Sequence, residues 1–131
     1  MAQAAELMNQ TILVVDDSAM IRHIVAQILS ESGYTVLTAR NGQEGYELTK
    51  RHNPHLVIMD VEMPVMDGIQ ATALIKSEPQ TNHIPVMIFT SLGGENDLKR
   101  AREAGCQGFL NKPISREVIQ AEVKKILGNS R

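Results

Sequence analysis

From residue 11 onward, short apolar runs alternate with longer polar stretches of helical spacing. The apolar runs are 12–15, 34–39, 56–59, 86–89 and 108–110. Most are continuous rather than alternating, which suits strands covered on both faces. Val36 and Leu37 lie among threonines and are expected nearer a sheet edge.

The polar stretches predict helices. Residues 18–32 place Met20, Ile21, Ile24, Val25, Ile28 and Leu29 on one stripe, and Gly33 follows as a stop. Residues 114–127 carry Ile114, Val118, Val123, Ile126 and Leu127, with Ser115 as an N-cap candidate. Glu117 near the start of that helix and Lys124 and Lys125 near its end complement the helix dipole. Residues 67–77 start at Asp67, another cap candidate, and present Ile69, Ala73, Leu74 and Ile75. The patterns over 42–52 and 94–104 are weaker: Gly45 costs the first about 1 kcal/mol of propensity, and the second shows only Leu98, Ala101 and Ala104. Residues 1–10 have no period and are expected to form a loose lead-in. Strict alternation of buried strands and helices predicts an α/β fold, a parallel sheet with helices on both faces and right-handed crossovers.

Composition narrows the function. At 131 residues the chain has one domain's length, and 43% apolar content is enough for a core. A net charge of −2, no Trp, two Tyr and two Phe argue against a nucleic-acid binder. No apolar stretch suits a membrane-spanning helix and no basic start introduces a secretory signal. The single cysteine, Cys106, fits a reducing, cytoplasmic setting and is expected to be a small buried residue.

In an open parallel sheet, ligands gather beyond the carboxyl ends of the strands. The first predicted strand ends in Asp16 and Asp17, the third in Asp60 and the fourth in Thr90 and Ser91; the fifth is followed by Asn111, Lys112 and Pro113. Two carboxylates about 4 Å apart repel by about 4 kcal/mol at an effective dielectric near 20. Three at one edge therefore call for a cation. Lys112 supplies one charge, and an all-oxygen ligand set favours Mg²⁺ over Zn²⁺ for the rest. Phosphoryl chemistry follows, with Asp60 as nucleophile, Asp16 and Asp17 as ion holders, and Lys112 and Thr90 on the transferring group.

Taken singly, each residue has a plainer role. Asp16 and Asp17 serve equally as a loop acid and a cap, Asp60 as a turn residue, Thr90 and Ser91 as caps, and Lys112 as a surface charge. His52 and His55 lack a third ligand and read as surface histidines. Met59, Met63, Met66 and Met87 read as adaptable packing.

Together and in this order, the elements resemble the receiver domain of bacterial two-component response regulators, over residues 11–128. They are Asp16 and Asp17; Asp60 followed by Met63, Pro64, Met66, Asp67 and Gly68; Thr90 and Ser91; and Lys112 and Pro113. The resemblance implies a doubly wound (βα)5 three-layer sandwich with flavodoxin-like strand order 2-1-3-4-5. It implies that Asp60 accepts phosphate from a sensor histidine kinase or a phosphotransfer protein. Asp16, Asp17, Asp60 and the Glu62 backbone carbonyl would hold Mg²⁺. Lys112 would pair with the phosphoryl group, while Thr90 and Phe109 would switch. Phe109 stands where many members carry Tyr, so a readout needing that hydroxyl has no donor here. The family often has a cis bond before Pro113. Glu62 and Leu92 occupy positions that tune phosphate lifetime, and Gly93 and Gly94 suit a pliable switch loop.

The expected function is a stand-alone phosphorylation switch, not an enzyme on an external substrate. It would be a monomer, bind no nucleic acid, insert in no membrane and signal to a downstream protein through the surface around residues 92–127. An aspartyl-phosphate phosphatase or phosphotransferase on a small substrate would share Asp60 and Mg²⁺. Such enzymes commonly carry a second Asp where Glu62 stands, and they need a cap this chain has no spare residues for. A flavodoxin-like electron carrier would need a hydroxyl-rich phosphate loop where Asp16 and Asp17 stand.

Overall fold

The five apolar runs become five strands, and the polar stretches that follow them become five helices. The computed structural model describes residues 10–91, 95–113 and 115–128. Residues 1–9 of the lead-in expected over 1–10, the loop residues Leu92, Gly93 and Gly94, and Ile114 lie outside the described residues. In chain order the elements are β1 (Thr11–Val15), α1 (Ala19–Glu31), β2 (Thr35–Ala39), α2 (Gly42–His52), β3 (Leu56–Asp60), α3 (Gly68–Ser77), β4 (Val86–Thr90), α4 (Glu95–Ala104), β5 (Gly108–Asn111) and α5 (Arg116–Ile126). All strand pairs are parallel, in the order β2-β1-β3-β4-β5. The α/β sandwich and the implied strand order are both present.

Each strand of the sheet's middle feeds two cores, because successive side chains alternate between faces. Leu13, Val15, Val57, Met59, Val86 and Ile88 pack with Ile69, Ala71 and Ile75 of α3 and Ala101 of α4. Ile12, Val14, Ile58, Met87 and Phe89 pack with Val25, Ile28 and Leu29 of α1 and Ile119 and Val123 of α5. The continuous apolar runs of β1, β3 and β4 follow from this double burial. β2 is an edge strand and keeps Thr35 and Thr38 exposed, as Val36 and Leu37 among threonines suggested.

The helix stripes are narrower than the periodicity predicts. In α1, Val25, Ile28 and Leu29 are buried, whereas Met20 and Ile24 face solvent. In α5 the buried positions are Ile119 and Val123, and Val118 is exposed. In α3, Ala71, Thr72 and Ile75 turn inward and Ala73 outward. One residue turns a helix by about 100°, so a neighbour one step along can take the core position. The caps at Asp67 and Ser115 form as read, Asp67 completing a reciprocal capping box with Gln70. Gly33 follows α1 at φ 100. Gly45 has a packing reason: a Cβ there would lie 2.9 Å from a Val15 methyl, so its missing side chain lets α2 close on β1.

Candidate functional site

The strand register brings the polar ends level. Val15 pairs with Met59, Asp60 with Phe89, and Thr90 with Asn111. Asp16, one residue past β1, therefore stands beside Asp60. The chain leaves β1 for α1 on one face and β3 for α3 on the other, so a crevice opens between their carboxyl ends. Carboxylate oxygens of Asp16, Asp17 and Asp60 all lie within 4.8 Å of one another. Asp16 and Asp60 are buried and Asp17 is exposed.

Asp16 is tied on several sides. Its N–H donates to the Ala39 carbonyl across the sheet. Its Oδ1 accepts from the Ser18 N–H at 3.0 Å, and its carbonyl accepts from Arg22 Nη1 at 2.7 Å. Its other carboxylate oxygen, Oδ2, is buried and accepts no hydrogen bond among the described residues. Lys112 Nζ approaches that oxygen to 3.0 Å, balancing charge off the direction of a hydrogen bond. The same ammonium donates to Asp60 Oδ1 at 3.2 Å. Two buried carboxylates and the exposed Asp17 thus share one ammonium, and carboxylate oxygens gathered in this way suit a cation.

The electrostatics follow from this crowding. Burial and then the neighbouring Asp16 charge push the Asp60 carboxyl up to about 6, with Lys112 pulling the other way. Burial lowers the Lys112 ammonium, but its two carboxylate partners outweigh that and hold it above its ordinary value. Three carboxylates against one ammonium leave room for a divalent cation, and oxygen donors with an open side suit Mg²⁺.

The remaining sequence candidates surround this centre. Thr90 is buried at the end of β4. Phe109 is half-buried against the α2–α4 side of the core, with the Arg102 guanidinium 5.8 Å from its ring centre. The peptide between Lys112 and Pro113 is cis. Glu62 is exposed and, with Asp17, Met63, Pro64, Asp97 and Arg100, lines an open groove of about 630 Å³ beside the acids. His52 and His55 are exposed, as read, and Cys106 is half-buried against the core. Among the described residues no helix is long and apolar enough to cross a membrane.

Two contributors are not singled out by the sequence reading. Ser18, rather than an aspartate, caps α1 by accepting from the Ile21 N–H. Arg22 holds the Asp16 carbonyl. A cation near a helix N-terminus works against the dipole, and that mismatch was the available signal.

The chain belongs to the response regulator receiver domain family, whose model matches residues 12–124. It is 30% identical over 123 residues to the polar-differentiation response regulator DivK of Brucella anthropi, covering 94% of this chain and 100% of that one. Among solved structures it resembles the receiver domain of a Pseudomonas aeruginosa sensor histidine kinase with a magnesium ion coordinated in the active site cleft. The TM-score is 0.86 at 26% identity, over 92% of this chain and 99% of that one. It also resembles a chain of the CheX-CheY-BeF3-Mg complex of Borrelia burgdorferi, with a TM-score of 0.84 at 29% identity over 89% and 88% of the two chains. The chain is thus a signalling module of the two-component class.

Proposed function

We propose that this receiver domain is a phosphorylation switch whose acceptor is Asp60. The observation that carries this reading is the trio Asp16, Asp17 and Asp60 within 4.8 Å, with the Lys112 ammonium 3.0 Å from Asp16 Oδ2 and 3.2 Å from Asp60 Oδ1. The donor is a phosphohistidine on a sensor kinase or phosphotransfer protein. An Asp60 carboxylate oxygen attacks phosphorus, the P–N bond to the imidazole breaks, and the histidine nitrogen leaves with the electron pair.

Asp16, Asp17, Asp60 and the Glu62 carbonyl would hold Mg²⁺. When bound, Mg²⁺ neutralises charge on the phosphoryl oxygens. The magnesium named for the Pseudomonas aeruginosa receiver domain supports this assignment. Lys112 would turn from the two carboxylates to a phosphoryl oxygen, a short movement because its ammonium already stands at Asp60. Thr90 would donate its hydroxyl to the same group.

Phosphorylation adds charge and acceptor oxygens at the sheet rim. Lys112 and Thr90 are drawn to them, and Phe109 repacks. A separate partner then reads the surface around residues 92–127, in the cytoplasm. The complex named for the Borrelia burgdorferi relative supports output through protein contact.

The test is intact-mass measurement with acetyl phosphate and MgCl2. The protein should gain one phosphoryl group, the gain should vanish with EDTA, and Asp60→Asn should gain none. An unmodified wild-type protein at saturating donor and Mg²⁺ overturns the reading.

A further inference from the structure

We propose that Arg22 is a positioning residue that sets the aim of Asp17 at the cation rim. The inference rests on the reading that Asp16 and Asp17 hold the ion. Asp16 itself is over-determined: its N–H is bonded across the sheet to Ala39, its Oδ1 is bonded to the Ser18 N–H, and its side chain is buried. Asp17 is different, because it is exposed and follows Asp16 through one peptide bond. The direction of its side chain depends on how that peptide plane is turned. The oxygen of that plane is the Asp16 carbonyl, and it accepts from Arg22 Nη1 at 2.7 Å. A charged donor at this length is the strong class of hydrogen bond.

The other end of the tether is firm. Arg22 lies in α1, where its N–H donates to the Ser18 carbonyl at 3.0 Å and Ser18 caps the helix. Glu44 of α2 also feels this guanidinium. Its carboxyl is held below the usual range chiefly by hydrogen bonds from Arg40, with the Arg22 charge adding to them. Arg22 therefore links the loop that carries both acids to α1. Its long, half-buried side chain also answers why a cation sits where the helix dipole opposes it.

Charge and geometry make opposite predictions for its removal. A positive charge near the rim repels a divalent cation, so deleting it would by charge alone tighten Mg²⁺ binding. Loss of the carbonyl anchor would let the peptide turn and loosen binding, as happens when outer partners of metal ligands are removed. The direction of the change decides between them.

The experiment is titration calorimetry with MgCl2 on wild type, Arg22→Met and Arg22→Lys, with thermal melts in EDTA alongside. Arg22→Met should bind Mg²⁺ about tenfold more weakly, while melting in EDTA within a few degrees of wild type. Arg22→Lys, which keeps a charged donor, should recover most of the affinity. At saturating Mg²⁺ the rate of modification by acetyl phosphate should return to the wild-type value in both. Unchanged or tighter Mg²⁺ binding by Arg22→Met overturns the proposal, as does equal loss in both variants. Wild-type protein that fails to bind Mg²⁺ overturns the rim reading and this inference together, whereas a normal wild type with an unaffected Arg22→Met overturns only the inference.

Discussion

The Lys112 ammonium stands 3.2 Å from Asp60 Oδ1, on the strand end next but one to its own. It reaches Asp16 Oδ2 as well, and its side chain is only 20% exposed. This one cation carries the charge balance of two buried carboxylates.

Lys112→Met should therefore destabilise the protein by about 1–3 kcal/mol at pH 7.5, since it leaves paired buried charges without their partner. Acid should reverse the loss, because protonating Asp60 relieves the same repulsion. MgCl2 should reverse it too. Urea melts at pH 5.5 and pH 7.5, with and without Mg²⁺, check this; a loss independent of pH and of Mg²⁺ would show that Lys112 acts by packing alone.

Asp60 gives stability its own pH signature. Its carboxyl is raised from 3.8 to about 6, chiefly by burial and then by Asp16. The folded state thus binds this proton more tightly than the unfolded chain does. The stabilising contribution is complete below pH 4 and is lost as pH rises through 6. Asp60→Asn should remove this slope and stabilise the metal-free protein by about 1–3 kcal/mol at pH 7.5. Saturating Mg²⁺ should flatten the wild-type slope, because the ion favours the carboxylate. Denaturant midpoints across pH 4.5–7.5 provide the measurement, and parallel wild-type and Asp60→Asn profiles would place the proton elsewhere.

Much of this centre was legible because its residues end strands that the apolar runs already mark. Asp16 and Asp60 needed no tertiary information beyond a parallel sheet, whose level strand ends bring them together. The caps at Asp67 and Ser115 were legible for the same local reason. Helix faces were harder: apolar periodicity names Val118, but Ile119 one step along takes the core. Arg22 left only its mismatch with the helix dipole as a signal, because its acceptor is a loop carbonyl, which any sequence supplies. Gly45 reads as a weak helix position until Val15 is seen against it, since close approach is a property of two elements.

Gly68 shows how tightly the acceptor is held from beneath. A Cβ at this position would lie 1.9 Å from the Asp60 carbonyl oxygen, and the Gly68 N–H donates to the Val61 carbonyl at 2.9 Å. No side-chain rotation relieves a clash with backbone. Gly68→Ala should cost about 3 kcal/mol or more, at the upper end of overpacking. It should also slow modification by acetyl phosphate, because the end of β3 must move with the acceptor. A variant with wild-type melting temperature and rate would mean that α3 can shift away freely.

The loop between the acceptor and α3 carries strain at Val65. Its φ is 73, and the Met66 N–H donates to the Pro64 carbonyl at 2.8 Å, closing a γ-turn of the rarer, positive-φ kind. The loop is held from outside, because the Met66 carbonyl accepts from the Gly42 N–H at 3.1 Å. A β-branched residue is poorly suited to this backbone, and with 80% exposure its side chain recovers little by burial. Val65→Gly should therefore stabilise the protein by about 1 kcal/mol, the relief of strain exceeding the added entropy of the unfolded chain. Val65→Ala should gain less, since its Cβ still meets the backbone. Urea midpoints with an unchanged slope would register the gain. If Val65→Gly melts lower than wild type, the turn is held without cost and the valine contributes contacts that exposure alone does not reveal.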